Sequence, residues 1–468
     1  MREAGIQIEP YQFLDLLELE IKKKPNQHVT AKLCGRIAEN LADKYVDMAS
    51  EHDSIKIKAL DEGGREEIIF SGVVKTIGIK MNNGVRTLEI EAISATYLMD
   101  LQPENATFQN ENQTYGEILD KVKKPYPKSE VFMAIGGKET TKSIVVQYQE
   151  TDWQFAKRLA SHFYSFIYPD YKGEGARFYF GMPETKTEQL TNLVSYKMKK
   201  DLGEYLYKTQ NHVSGVNEND ALYYLVKSRE IYDLCQAIDF KGRKLFVAEI
   251  VSKLEGAVLF HYYSLKGERG FKVKKEYNEK LIGASLDAKV LDVSKDRIKV
   301  HMQVDQEQDQ STAKWFPFST VYSSPDGTGW YCMPEKGDTM RVYFGDEKEE
   351  HAFAISAVHE QSSSGEKRAN PDIKVLSTKH GKEIIFTEKG IEIKSGDGLR
   401  IILSDEEGIL IESDQDIKIH SQKDLSLQAG KSLMLLAKEK IELTQGEKTK
   451  LELKEDITLK GGQVKMNK

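Results

Sequence analysis

Glu406 and Glu407 are adjacent carboxylates, and Asp414 and Asp416 repeat the motif with one residue between them. Paired carboxylates do general acid–base work when a pocket shifts one pKa away from the other. These pairs lie among Lys, Ser and Gln in a stretch almost free of aromatics, so turns and a solvated face are their expected place. The ten histidines are dispersed, with His380 and His420 alone in the tail beyond residue 372, whereas a metal needs several converging ligands. Cys34, Cys235 and Cys332 are too scattered for a disulfide framework or zinc site, and each reads as a small buried apolar side chain. Gly35, Gly242 and Gly337 are isolated and form no phosphate-cradling loop. The basic runs Lys121 to Lys128 and Lys197 to Lys200 read as solvated faces or as docking surfaces for an acidic neighbour. No catalytic residue, cofactor or metal is expected.

The stretch that does organise the chain is a repeat. Apolar pairs return every eight positions at Ile409/Ile411, Ile417/Ile419, Leu425/Leu427, Leu433/Leu435 and Ile441/Leu443. One residue separates the members of each pair, which marks a short strand with one buried face. A single-chain solenoid coil needs roughly 18–29 residues and at least ~3 stacked coils, more than this stretch supplies. Three chains contributing one octad each would make levels of about 24 residues. The spacing therefore predicts an intertwined homotrimeric β-prism whose axis is lined by these ten residues.

Length and composition set the frame for that shaft. At 468 residues the chain suggests several domains, and 30% charged against 39% hydrophobic residues marks a folded rather than a disordered chain. The net charge of -7 argues against nucleic acid as a specific ligand. The N-terminus lacks the apolar core of a signal peptide, and no apolar run could span a bilayer. Synthesis in the cytoplasm and export by another route are expected. Beyond Glu360 the only aromatic is Phe386 and the only proline Pro371, so a globular body gives way to a narrow tail.

Before that boundary the elements follow in order. Residues 1–95 alternate as strands, with Asn82-Asn83-Gly84 as a hairpin turn and a helix at 36–45, and suit a small β-barrel. Residues 96–190 form an α+β insertion, with capping signals at Thr114 and Thr151-Asp152. Trp153, at the start of the second helix with Phe155 and Leu159, is expected in the core rather than on a binding face. Residues 191–278 return to strands and resemble the first segment. Residues 279–359 supply five strands spaced as in an OB-type barrel. A polar linker at 360–372 then leads to the β-prism at 373–468.

Two motifs within this frame are more specific. Residues 146–160, with Tyr148, Asp152, Trp153 and Arg158, resemble the "QY-x-E-[ST]-D-W-x-F-x-x-R" stretch of VgrG-type spike proteins. Trp330, Met333 to Asp338 with Pro334, Gly337 and Asp338, and Val342-Tyr343-Phe344 are similar to the signature of their OB domain, which phage baseplate hub and spike proteins share. The polar insert Asp305 to Gln310 departs from that pattern, and the prism is short. The resemblance implies a mainly β chain with two tube-like β-barrels around the α+β insertion, an OB-fold neck and a trimeric spike. It implies an inner tube protein and baseplate proteins as partners, a PAAR-type tip protein at the C-terminal end, and a target cell envelope to be pierced. The particle would be a phage tail, a tailocin or a type VI-like machine. Some members of the family carry a hydrolase or effector domain, for which this chain has no room, and some spike tips bind metal through H-x-H histidines, which are absent. A trimeric tailspike that binds or degrades surface glycans is the alternative, although its tail would be expected to present more aromatics.

Overall fold

Apolar and charged residues alternate along the first strands, so each has one face for the core and one for water. In the computed structural model, which describes residues 5–47, 49–50, 53–60, 64–355, 369–446, 449–453 and 463, these are β1 (Ile6–Glu9), β2 (Asp15–Lys23), β3 (Thr30–Arg36), β4 (Ser54–Leu60), β5 (Glu66–Asn82) and β6 (Val85–Ile93). In β2, Leu19 and Ile21 are buried while Glu18 and Lys22 face solvent. Asn83 and Gly84 both take positive φ (49° and 79°), as the tight turn between β5 and β6 requires. The early helix falls a few residues later than expected, as a 3₁₀ turn at Glu39–Leu41 followed by α1 (Ala42–Asp47).

The insertion contains β7 (Pro103–Phe108), α2 (Tyr115–Lys123), β8 (Glu130–Met133), β9 (Val145–Thr151), α3 (Asp152–Ser161), β10 (Ile167–Pro169) and β11 (Arg177–Phe180). Thr114 with Glu117 and Thr151 with Gln154 form capping boxes that open the two helices. Their apolar faces pack with Phe178 and Phe180 in a core of their own.

The second β segment comprises β12 (Glu188–Gln189), β13 (Leu193–Lys200), α4 (Leu202–Gln210), β14 (Leu222–Ser228), β15 (Ala237–Phe240), β16 (Arg243–Glu255) and β17 (Val258–Lys266). The short helix α4, absent from the sequence-based expectation, starts at Asp201, whose carboxylate accepts the Glu204 amide at 3.0 Å. The two segments expected as separate barrels are joined in one twelve-stranded sheet. Its path runs β1-β4-β5-β6-β3-β2-β16-β17-β14-β13, with β15 on β16 and β12 on β15. The join is antiparallel and sets Lys23 opposite Ile250 and Glu20 opposite Lys253.

The third β segment is built from β18 (Ser285–Ser294), β19 (Arg297–Met302), β20 (Trp315–Pro317), β21 (Thr339–Tyr343) and β22 (Phe353–Ile355). They pair in the order β20-β19-β18-β21-β22. A parallel bridge between Phe318 and Ala354, with the Ser319 amide donating to the Ala354 carbonyl at 2.8 Å, joins the two ends. That closure gives the five-stranded barrel its OB topology. The last strand, expected to reach Val358, ends at Ile355 within the described residues.

The chain divides into two compact units at 358/359. The second contains an antiparallel meander, β23 (Lys374–Ser377), β24 (Lys382–Thr387), β25 (Gly390–Ser395), β26 (Leu399–Ser404) and β27 (Gly408–Ser413), and a hairpin, β28 (Ile441–Gln445) and β29 (Thr449–Leu453). In the single chain the octad pairs differ from one another. Ile409/Ile411 and Ile441/Leu443 are in strands, but Ile417, Ile419, Leu425, Leu427, Leu433 and Leu435 are not. A strand exists only through a hydrogen-bonded neighbour, and the single chain offers none there. Part of the expected linker, 360–368, lies outside the described residues. No helix among the described residues is long and apolar enough to cross a membrane.

Lys23 is the chemically odd residue at the β2–β16 join. It is buried, with its Nζ 3.7 Å from the centre of the Tyr171 ring. Burial lowers its pKa to about 7; Asp233 opposes that shift and Lys172 adds to it. The unfolded chain, with a lysine near 10.5, binds the proton more tightly, so stability from this group is full above that value and lost as pH falls towards 7. We predict that Lys23→Met gains stability relative to the native chain as pH drops from 10 to 7, by about 1 kcal/mol per pH unit. Urea unfolding at several pH values measures it, and a pH-independent difference would refute it.

Candidate functional site

Val145–Thr151 runs straight into α3, and this strand-to-helix corner gathers the first motif. Thr151 caps the helix by accepting the Gln154 amide at 3.1 Å. Asp152, at the first helical position, accepts from the Tyr126 hydroxyl at 2.7 Å and the Gln147 amide at 2.8 Å, besides facing the positive end of the helix. Trp153 is buried with its ring 4.6 Å from that of His28 and edge-on to Phe178. His28 in turn bonds Thr96 at 2.9 Å and Asp100 at 3.2 Å, and burial lowers its pKa against the pull of Asp100. The corner is thus stitched to the first β segment.

Arg158, one and a half turns along α3, is the charged centre. It is 2% exposed. Its Nε donates to both Glu150 oxygens at 2.8 and 3.1 Å, Nη2 to Glu150 at 2.9 Å and to the Val146 carbonyl at 2.7 Å, and Nη1 to Glu349 at 3.0 Å. The planar fork explains why arginine suits this position: it serves two carboxylates and a carbonyl at once. Burial raises the Glu349 carboxyl pKa, opposed by Arg158 and by the Val146 amide, which donates to it at 3.2 Å. Burial also works against the guanidinium charge, but Glu349 and Glu150 outweigh it and raise its pKa.

Glu349 belongs to the loop before β22, so the network ties the insertion to the OB barrel. Other bonds run in parallel. Asp305 accepts from the Thr107 amide at 2.7 Å and from its hydroxyl, and burial raises the Asp305 pKa despite them. Gln109 donates to the Val300 carbonyl at 3.1 Å, and Asn278 to the Tyr148 carbonyl at 2.7 Å. Ile144 and Val146 complete the apolar core of the barrel, and Tyr148 packs against it.

The second motif lies apart, at the entrance to β21. Pro334 is half-buried. Gly337 takes φ +98° and donates to the Val290 carbonyl at 2.9 Å, a backbone conformation that favours glycine. Asp338 closes the turn by accepting the Glu335 amide at 2.8 Å. The ten octad residues lie in the other unit. Ile409, Ile411, Ile417, Ile419, Leu425, Leu427, Leu433, Leu435 and Leu443 are 54–73% exposed in the single chain, and Ile441 is half-buried.

The residues singled out for chemistry do not converge. Glu406 pairs with Lys389 at 2.8 Å, Asp416 with Lys418 at 3.6 Å, and all four carboxylates and both tail histidines are exposed. Among the described residues no three His, Cys, Asp or Glu side chains are placed to hold a metal. Cys235 is buried as expected, but Cys34 is only half-buried and Cys332 is exposed, in a segment outside the strands. Sequence reasoning missed Glu349, Asn278 and Thr107; the only hint was the polar insert beginning at Asp305.

Residues 38–180, which include this corner, match the family described as phage tail baseplate hub (GPD). Over most of its length the fold is similar to solved structures. One is an E. coli component of the type VI secretion system, described as structurally similar to the T4 tail proteins gp27 and gp5; it is 14% identical, with a TM-score of 0.52 over 75% of this chain and 99% of that one. Another is the Francisella PdpA–VgrG complex in its half-lidded form, 11% identical, with a TM-score of 0.56 over 88% of each chain. No curated protein sequence matches. The chain has the VgrG-type hub-and-spike fold that its two motifs led us to expect.

Removing Arg158 would leave two buried carboxylates facing each other. We predict that Arg158→Met costs about 3–5 kcal/mol in urea unfolding and weakens Glu349→Gln far less than it weakens the native chain. Additive losses would contradict a shared network.

Proposed function

We propose that the chain is the trimeric hub and cell-puncturing spike at the centre of the baseplate of a contractile injection machine. The bare apolar face of the octads carries this reading. Nine of the ten are more than half exposed in one chain and need copies of themselves to cover them, and a three-fold axis gives each chain two equal neighbours. The match of 38–180 to baseplate hub proteins and the VgrG-type fold support the setting.

Within this reading, 1–95 and 191–278 form the ring that docks the inner tube, 96–190 braces it, 279–359 is the neck, and 373–468 is the spike, reached through 360–372. Tyr148, Asp152, Trp153 and Arg158, with Pro334, Gly337 and Asp338, are structural residues of hub and neck. The octads form the spike axis, with Lys, Glu and Asp outward. Burial of two aliphatic side chains per octad contributes on the order of 3–6 kcal/mol per chain before entropy is subtracted. Summed over levels and chains, that gives a stiff rod able to pass the force of sheath contraction to a small tip. The role is mechanical, no catalytic group is called for, and a PAAR-type protein is the partner proposed for the spike's end. The assembled particle carries the chain out of the cell on firing.

We predict a light-scattering mass of about three times 53.2 kDa for the purified chain. Leu427→Asp places three like charges together at the axis and should lower the trimer's melting temperature by 10 °C or so, or dissociate it. A native mass of 53.2 kDa, or an unchanged trimer melt in the variant, would refute the reading.

A further inference from the structure

Lys197 and Lys199, from one of the basic runs, stand on the same side of β13. Residues directly opposite each other in antiparallel strands share a face, so the registers of β13, β14, β17 and β16 set out three rows. Ser195, Lys227, Tyr262 and Val251 form the first row. Lys197, Leu225, Ser264 and Glu249 form the second, and Lys199, Tyr223 and Lys266 the third. Amines and aromatic rings are thus interleaved. The Lys227 amine lies 4.0 Å from the centre of the Phe260 ring and 5.1 Å from that of Tyr262, and those of Lys199 and Lys266 lie 5.5 and 5.3 Å from that of Tyr223. Amines so placed keep their charge at the surface while their stems cover apolar area.

These rows floor a groove. A hollow of 430 Å³ over the first two rows and another of 630 Å³, which runs from Tyr223 to α4 and the Lys24–Asn26 turn, share Leu225, Glu249 and Ser264 and are therefore continuous. Tyr207 of α4 is exposed at the far end, with the Lys274 amine 5.8 Å from its ring centre. Among the described residues eight lysines line the two hollows against four carboxylates, in a chain whose net charge is -7. The first β segment offers the contrast. Glu249, Val251 and Lys253 alternate along one side of β16, and Lys253 lines a third hollow, of 1010 Å³, on that same face. There Glu18, Glu20, Glu89 and Glu91 stand against three lysines, and no aromatic ring lines the surface.

We propose that the groove over β13, β14, β17 and β16 binds an extended acidic segment of a partner polypeptide. Its carboxylates would meet the lysines, and its aromatic or aliphatic side chains would lie on Tyr196, Tyr223 and Tyr262. Charge complementarity selects the sign of the partner, and the combined volume is that of a ligand cleft. The carboxylates in the groove select a polypeptide over a nucleic acid. Glu249 lies 3.9 Å from Lys24, and Glu204 lies 2.8 and 2.9 Å from Lys208 and Lys266, so positive charge comes in patches separated by negative ones. An unbroken line of phosphates would be repelled at each of these points, whereas a polypeptide can space its charges and offer amide donors to the carboxylates. All the groove residues belong to one chain, so the inference does not depend on the trimeric reading.

Fluorescence anisotropy of a labelled peptide made of Glu-Tyr-Gly repeats, titrated with the full chain, tests this. The peptide should bind, and binding should weaken as salt is raised. Lys197→Glu combined with Lys274→Glu, one at each end of the groove, should raise Kd about tenfold. Lys197→Gln alone removes one charge without reversing it and should raise Kd about threefold, which guards against a double variant that fails to fold. Lys32→Glu, in the acidic hollow, should change Kd less than about twofold. Absence of binding, an unchanged Kd in Lys197→Gln, or an equal loss in Lys32→Glu would overturn the proposal. Tighter binding of the Lys-Tyr-Gly counterpart or of a thymidine oligonucleotide would overturn it as well.

Discussion

A backbone edge or an apolar strand face has to be covered, and where one chain cannot cover its own, a second copy is the simplest cover. That constraint explains the molecule's two kinds of incompleteness. In the tail, the aliphatic pairs from Ile417 to Leu435 are exposed and have no strand partner among the described residues. In the hub, the sheet ends in β13, whose eight residues are all exposed, while β5 leaves half of one edge bare. Each leaves backbone or apolar surface of the kind that proteins normally pair or cover.

The closed parts of the structure hold the open ones in place. Arg158 fixes the corner between β9 and α3 and reaches Glu349 in the OB barrel, with Asp305 and Asn278 holding the same boundary. Trp153 and His28 fix that corner to the first β segment. A buried charge network of this kind is a costly way to gain stability, since apolar residues of equal volume often do better. Its value here is angular definition: one planar group holds Glu150, the Val146 carbonyl and Glu349 at once and so fixes the β9–α3 corner against the five-stranded barrel.

Much of this was legible in the sequence. Thr114, Thr151 and Asn82-Asn83-Gly84 announce their helices and turn because caps and tight turns depend on residues a few positions apart. The OB strands were found for the same local reason. What stayed hidden depends on distant partners. Nothing near Glu349 tells that Arg158 awaits it. The join of β2 to β16, which makes one sheet of two expected barrels, links residues more than two hundred positions apart. The octads differ in the opposite way: their period is plain, but strands at Ile417 to Leu435 require neighbours that one chain does not contain.

Electron cryomicroscopy of the purified full-length chain tests the central claim most directly. The account predicts three-fold class averages, with the octad residues packed about the axis. Particles of a single chain, or three-fold particles in which the octad residues point to solvent, would contradict it.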